Sequence, residues 1–329
     1  MKCCVVGAGA IGGHLAVKLC RAGHEVAVIA RGPQLAAIRA AGLVLEQGGQ
    51  ALHADVRAAE GSGELGVQDV VFVTTKATAL ASVVPLLPPL VGSATRVVFI
   101  QNGITWWYPL GLPAAHPRPA QVPVFALAER FLAFLRPEQV LAGVIYSANE
   151  VLRPGVIRNN SPVGTNVVEL GAPDDGDSAP LRALRSALEA AGIAAPPIAQ
   201  IRASLWRKLV LNASSSSLCV AVENPAAIAT DARVQETMLR MLHECLAIAA
   251  AHGYDVGPGF DFERWTQRRT AHKPSMLQDF EARRPMEIGE IVLAPLAFAR
   301  AAGLATPTLD AVGAIAARRA IDQGLYTPA

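Results

Sequence analysis

Lys2-Cys3-Cys4-Val5-Val6-Gly7-Ala8-Gly9-Ala10-Ile11-Gly12-Gly13 opens the chain with an apolar run that breaks into glycines. The unbroken run Cys3–Val6 has the length and continuity of a strand covered on both faces. Ile11, Leu15 and Leu19 then recur at helical spacing and stop before Gly23, a helix C-terminal signal. Strand, Gly-rich turn and helix form the context that gives G-x-G-x-x-G its meaning. Gly7 permits the tight turn, Gly9 lets a pyrophosphate approach the backbone, and Gly12 lets helix and strand pack closely. The helix N-terminus adds free N–H groups and the positive end of its dipole. Gly7, Ala8, Gly9, Ala10, Ile11 and Gly12 are therefore the expected dinucleotide cradle. The alternative for the same glycines is a turn used only for packing.

The next strand, expected over 25–30, selects the dinucleotide. A site for NAD usually ends that strand with Asp or Glu, which binds the ribose 2′-hydroxyl. No acidic residue lies between Glu25 and Glu46, and the strand ends at Arg31. A guanidinium suits a 2′-phosphate, which a carboxylate would repel. NADPH is the expected cofactor.

Working outward, apolar runs at 69–74 and 97–100 and a short helix over 33–41, ended by Gly42, continue the alternation of a parallel sheet with right-handed crossovers. Strands are expected at 140–147, 156–158 and 167–170, and a helix at 179–191. Pro196-Pro197 marks the expected domain boundary. Beyond it, helices are expected over 204–218, 230–252, 262–268 and 288–302. The fold class is thus α/β, with a Rossmann-like parallel-sheet domain (1–197) followed by an all-α domain (198–329). Residues 106–123, with Trp106, Trp107 and five prolines, are expected to form an irregular surface loop or lid.

Composition narrows the function. The chain has 329 residues, 52% of them hydrophobic and 17% charged, which is enough apolar material for two cores. A net charge of +2 without a dense Lys/Arg run gives no basis for binding nucleic acid. No 18-residue apolar stretch or secretory leader is visible, so a cytoplasmic location is expected and no membrane partner. The five cysteines lack C-x-x-C spacing, and no His-x-x-x-His pair occurs, so neither a disulfide framework nor a metal site is expected.

Four further blocks follow the glycine motif: Thr74-Thr75-Lys76, Gln101-Asn102-Gly103, Trp206-Arg207-Lys208 through Asn212, and Ser275-Met276-Leu277-Gln278-Asp279 through Glu287-Ile288. In this order they resemble the ketopantoate reductase family (2-dehydropantoate 2-reductases) over nearly the whole chain. The resemblance implies a site in a cleft between the two domains and hydride transfer from NADPH to the keto carbon of a small-molecule 2-keto acid. It implies Lys208 as the catalytic lysine and Glu287 as its carboxylate partner. Asn212, Ser216 and Ser275 would face the substrate, with Lys76 and Asn102 lining the cofactor and substrate cleft.

The residues themselves leave alternatives open. A lysine among Leu205, Leu209 and Leu211 either snorkels to the surface or faces a cleft. Asn212 and Ser216, one and two turns on, make a polar stripe that favours the cleft. Glu287 is equally compatible with a solvated helix face, Asn102 with a plain turn, and Ser275 with a capping box closed by Gln278. Asp279, Glu281 and Arg283 are expected to be solvated helix charges. The family often carries Asn where this chain has Ser216, which leaves open a different 2-keto acid. A non-catalytic NADPH-binding sensor is the alternative class. Helical second domains of this kind can also form homodimers.

Overall fold

The computed structural model describes residues 1–258 and 273–328, so the helix expected at 262–268 lies outside them. The chain divides into two compact units. One comprises Met1–Gln101 and Leu127–Ile201, the other Asn102–Ala126 and the chain from Arg202 onward. This differs from a single cut at 197, because Asn102–Ala126 belongs with the helical part.

The first unit holds eleven strands: β1 Lys2–Val6, β2 Glu25–Ile29, β3 Leu43–Gln47, β4 Gln50–Ala54, β5 Arg57–Ala59, β6 Val70–Val73, β7 Arg96–Phe99, β8 Val140–Tyr146, β9 Asn149–Arg153, β10 Val156–Asn159 and β11 Val167–Gly171. Seven form the main sheet, in the order β11-β8-β7-β6-β1-β2-β5. Its neighbours are parallel except at the β11 edge, which runs antiparallel to β8. Cys3–Val6 of β1 are fully enclosed, as an unbroken apolar run requires of a central strand. Helix α1, Ala10–Arg21, connects β1 to β2, and α2, Gly32–Ala41, follows β2.

A second sheet, ordered β4-β3-β10-β9, went unforeseen apart from the strand at 156–158. Leu43 and Leu45 of β3 are buried, and Ile157 of β10 lies against Gly13 of α1, so this sheet covers one side of the crossover helix. Buried Asn159 joins Gln47, Ser147, Asn149 and Asn166 through side-chain hydrogen bonds, tying β3, β9 and β10 together.

The second unit is helical among the described residues. Its main elements are Ile201–Val222, Ala232–Ala251, Ser275–Glu281, a π-helical turn at Gly289–Leu293 running into Ala294–Ala301, and Pro307–Asp322. The segment expected as a surface loop or lid is irregular and half-buried to exposed over 109–119, but its first three residues enter this unit's core. Trp106, Trp107 and Tyr108 are each at most 2% exposed. Arg202 is buried too, and its Nε–H donates to the Tyr108 carbonyl at 2.8 Å while a second guanidinium N–H reaches the Leu110 carbonyl. The Trp206 indole N–H donates to the Tyr108 hydroxyl at 2.9 Å. Three large aromatic side chains gain more from burial than a loop gains from solvation. The prolines around them carry no N–H that needs a partner.

All five cysteines are thiols, and all but Cys20 are buried. No helix among the described residues is long and apolar enough to cross a membrane.

Candidate active site

The first unit places its candidate residues around the carboxyl ends of β1, β2 and β6, where ligands bind in open α/β sheets. Gly7 has φ +101°, and a Cβ there would lie 2.8 Å from the Thr75 methyl. A Cβ on Gly12 would fall onto the Gly7 carbonyl and the Thr74 hydroxyl. Packing alone therefore demands both glycines. Gly9 differs: its ideal Cβ meets nothing within 4 Å. That open space sits at the N-cap of α1, where no side chain caps the helix. The N–H groups of Ala10, Ile11 and Gly12 precede the first intrahelical bond, Gly13 N–H to the Gly9 carbonyl, and have no acceptor within the helix. These are the features a pyrophosphate needs, so the residues present fit a dinucleotide.

Arg31 is exposed at the N-cap of α2, two residues after Ile29, whose carbonyl accepts the Gly7 N–H at 3.0 Å. Strand pairing thus brings the start of α2, where Arg31 stands, beside the glycine loop. Lys76 is partly exposed just past the end of β6, and it begins a 3-10 turn over Ala77–Ala79. Two glutamines hold loops of this site: Gln34, which carries no signal in the sequence, and Gln101, which stands there only as the first residue of the Gln101-Asn102-Gly103 block. The Gln34 side-chain amide donates to the Ala8 carbonyl at 2.6 Å, and its oxygen accepts the Gly155 N–H at 3.0 Å. Gln101 donates to the Val73 and Thr75 carbonyls at 2.8 and 3.0 Å. Each pins a loop that carries candidate residues. Nothing in local periodicity marks such long-range contacts.

The second unit places Lys208, Asn212 and Ser216 on successive turns of the Ile201–Val222 helix. Leu205, Leu209 and Val210 around them are buried. Three neighbouring serines, Ser214, Ser215 and Ser217, return their hydroxyls to carbonyls one turn back, which satisfies them inside an apolar helix. Lys208 is only partly exposed, and burial pushes its ammonium down from 10.5 to about 8, against the upward pull of the Glu287 carboxylate. Glu287 is 5% exposed, which removes the solvated-face alternative. Lysine and carboxylate are close enough for each to feel the other's charge.

Asn102 lies in this same unit. The next residue, Gly103, has φ +79°, and a Cβ there would stand 2.5 Å from the Glu290 carbonyl oxygen. The Ile104 N–H donates to that carbonyl at 2.9 Å. The Asn102-Gly103 turn is therefore seated on the π-helical turn that follows Glu287. Ser275 is exposed in the first turn of its helix, but Pro274 occupies the N-cap and Gln278 turns to the Lys273 carbonyl, so the capping box does not form. Asp279, expected to be solvated, is 4% exposed and pairs with Arg284 at 3.0 Å. Glu281 pairs with Lys273. Glu290, which no sequence motif singles out, is half-buried, with one carboxyl oxygen enclosed and lacking a hydrogen-bond partner among the described residues. Among the described residues no cluster of His, Cys, Asp and Glu could hold a metal ion.

Comparison with known proteins bears on both units. The family model described as ketopantoate reductase PanE/ApbA matches residues 3–172, and its C-terminal counterpart matches 200–320. A 2-dehydropantoate 2-reductase of Mesorhizobium japonicum is 38% identical over 333 aligned positions, covering 99% of this chain and all of the relative. A Ralstonia solanacearum structure assigned as a ketopantoate reductase superposes with a TM-score of 0.88 at 31% identity, covering 99% of both chains. D-mandelate dehydrogenase, solved with NADH and anilino(oxo)acetate, shares the fold at TM-score 0.81 and 22% identity, over 99% of this chain and all of the other.

Proposed function

Because the chain belongs to the ketopantoate reductase family, we propose that it reduces a 2-keto acid, ketopantoate (2-dehydropantoate) first among them, with Lys208 as the general acid. It is an NADP-dependent oxidoreductase acting on a CH–OH group. The observation that carries the proposal is Lys208 itself, a lysine drawn into an apolar helix with its ammonium held near a pKa of 8 beside buried Glu287.

NADPH, when bound, supplies the hydride. The glycine loop and the N-terminus of α1 would hold its pyrophosphate, and Arg31 its 2′-phosphate. Negative charge develops on the keto oxygen as the carbon is reduced. The Lys208 ammonium donates a hydrogen bond to that oxygen, stabilises the charge and then passes its proton across, giving the hydroxyl. Its lowered pKa suits a proton donor. At neutral pH most of the lysine is charged, yet it yields a proton far more readily than an exposed lysine. Glu287 keeps the ammonium from losing its charge to burial and fixes its direction. Asn212, Ser216, Ser275, Asn102 and Lys76 are the candidates for holding the substrate carboxylate and side groups.

Lys208→Ala should abolish turnover while NADPH still binds, measured by fluorescence titration. Undiminished turnover would remove the mechanism. A steady-state panel of 2-keto acids tests the substrate. Ser216, standing where the family often has Asn, favours a different 2-keto acid as the second reading. Ketopantoate turning over no better than pyruvate or 2-ketoisovalerate would select it.

A further inference from the structure

Glu290 is a half-buried acid that the proton transfer from Lys208 does not use. It stands three residues after Glu287, on the π-helical turn Gly289–Leu293, and such turns recur at functional sites. Its backbone is fixed twice, by the Ile104 N–H on its carbonyl and by Gly103 pressed against it. One of its carboxyl oxygens is enclosed without a hydrogen-bond partner among the described residues. Two carboxyls so near each other, away from water, do not both ionise readily. Burial first, and the Glu287 charge second, push the Glu290 carboxyl up to about 7.

Among the described residues, no cation is paired with Glu290. The titratable groups that face it are Glu287 and the Tyr326 hydroxyl, itself raised by burial and by Glu290. The 102–104 turn and the Pro123–Ala126 turn bring no charge. The helices Ala294–Ala301 and Pro307–Asp322 keep their charges in pairs of their own, Arg300 with Asp310, Arg318 with Asp322 and Arg319 with Glu223.

We propose that Glu290 is a positioning residue of the Lys208 centre: a carboxyl that carries a proton in the working enzyme, leaves the negative charge to Glu287, and on losing that proton repels the anionic substrate. This rests on the reading of Lys208 as general acid toward a 2-keto acid. The effect belongs to substrate binding. The scale comes from Coulomb's law: one like charge acting over about 10 Å at an effective dielectric near 20 weakens binding roughly tenfold.

The test measures kcat and KM for the keto acid, with NADPH saturating, between pH 5.5 and 8.5 in the wild type, Glu290→Gln and Glu290→Asp. The wild-type KM should rise about tenfold across that range. The glutamine variant, which cannot ionise, should lose the rise centred near pH 7 and keep only the rise above about pH 8, where Lys208 gives up its proton. A Glu290→Gln KM that tracks the wild type overturns the proposal. If that variant does not fold, Glu290→Asp decides: it must keep a pH-dependent KM with a displaced midpoint, and a coincident profile overturns the proposal. Failure of the underlying reading looks different, because Lys208→Ala would then still turn over.

Discussion

Removing the Lys208 charge should stabilise the folded protein. The fold lowers the lysine pKa from 10.5 to about 8, even with Glu287 pulling the other way. Each pKa unit corresponds to about 1.4 kcal/mol, so the charged lysine costs the native state about 2–3 kcal/mol once its partial exposure is allowed for. Methionine keeps the aliphatic stem and loses the charge, so Lys208→Met should raise the unfolding free energy at pH 7 by that amount. The sign with pH follows from linkage. The unfolded chain holds its proton up to about pH 10.5. The cost is therefore fully present below pH 8 and is relieved as pH rises from 8 toward 10.5. Paired urea unfolding curves of the wild type and Lys208→Met at pH 7 and pH 9.5 measure it. The variant should be more stable at pH 7, with the gap narrowing at pH 9.5. A variant no more stable at pH 7, or a gap indifferent to pH, would refute the claim that burial strains this lysine.

Other perturbations probe the scaffold around the site. Gly103→Ala places a Cβ at positive φ and against the Glu290 backbone, and should destabilise the protein by at least about 2 kcal/mol in thermal or urea unfolding. Gln34→Ala releases the Ala8 carbonyl, and should raise KM for NADPH several-fold in steady-state assays. Arg31→Asp should shift the ratio of kcat/KM for NADPH over NADH toward NADH; an unmoved ratio would argue against the guanidinium as the 2′-phosphate reader.

Local signals carried far in this chain. The β1–α1–β2 frame and the helices closed by Gly42, Gly192 and Gly303 follow from periodicity and end signals that act within a few residues. What escaped depends on distant partners. β3 and β4 are short, and they make sense only once β10 is brought alongside β3 from more than a hundred residues away. Trp106–Tyr108 read as an exposed loop because prolines erase periodicity, while their partners Arg202 and Trp206 lie far down the chain. Lys208 and Glu287 stood out through a motif, whereas Asp279 and Glu290 look like ordinary helix charges until packing buries the first and encloses one oxygen of the second.

The aromatic plug also imposes an order of events at the ribosome. Tyr108 must wait for Trp206, 98 residues later, before its hydroxyl finds the indole N–H. At ordinary translation speeds that interval lasts about 5–20 seconds. The nascent first unit meanwhile carries two indoles and a phenol with no finished core to enter. A polypeptide halted near residue 200 would hold that sticky patch permanently. Chaperone demand during synthesis should therefore peak before the Ile201–Val222 helix emerges and fall once it does. Expression of the first unit alone should require excision of Asn102–Ala126.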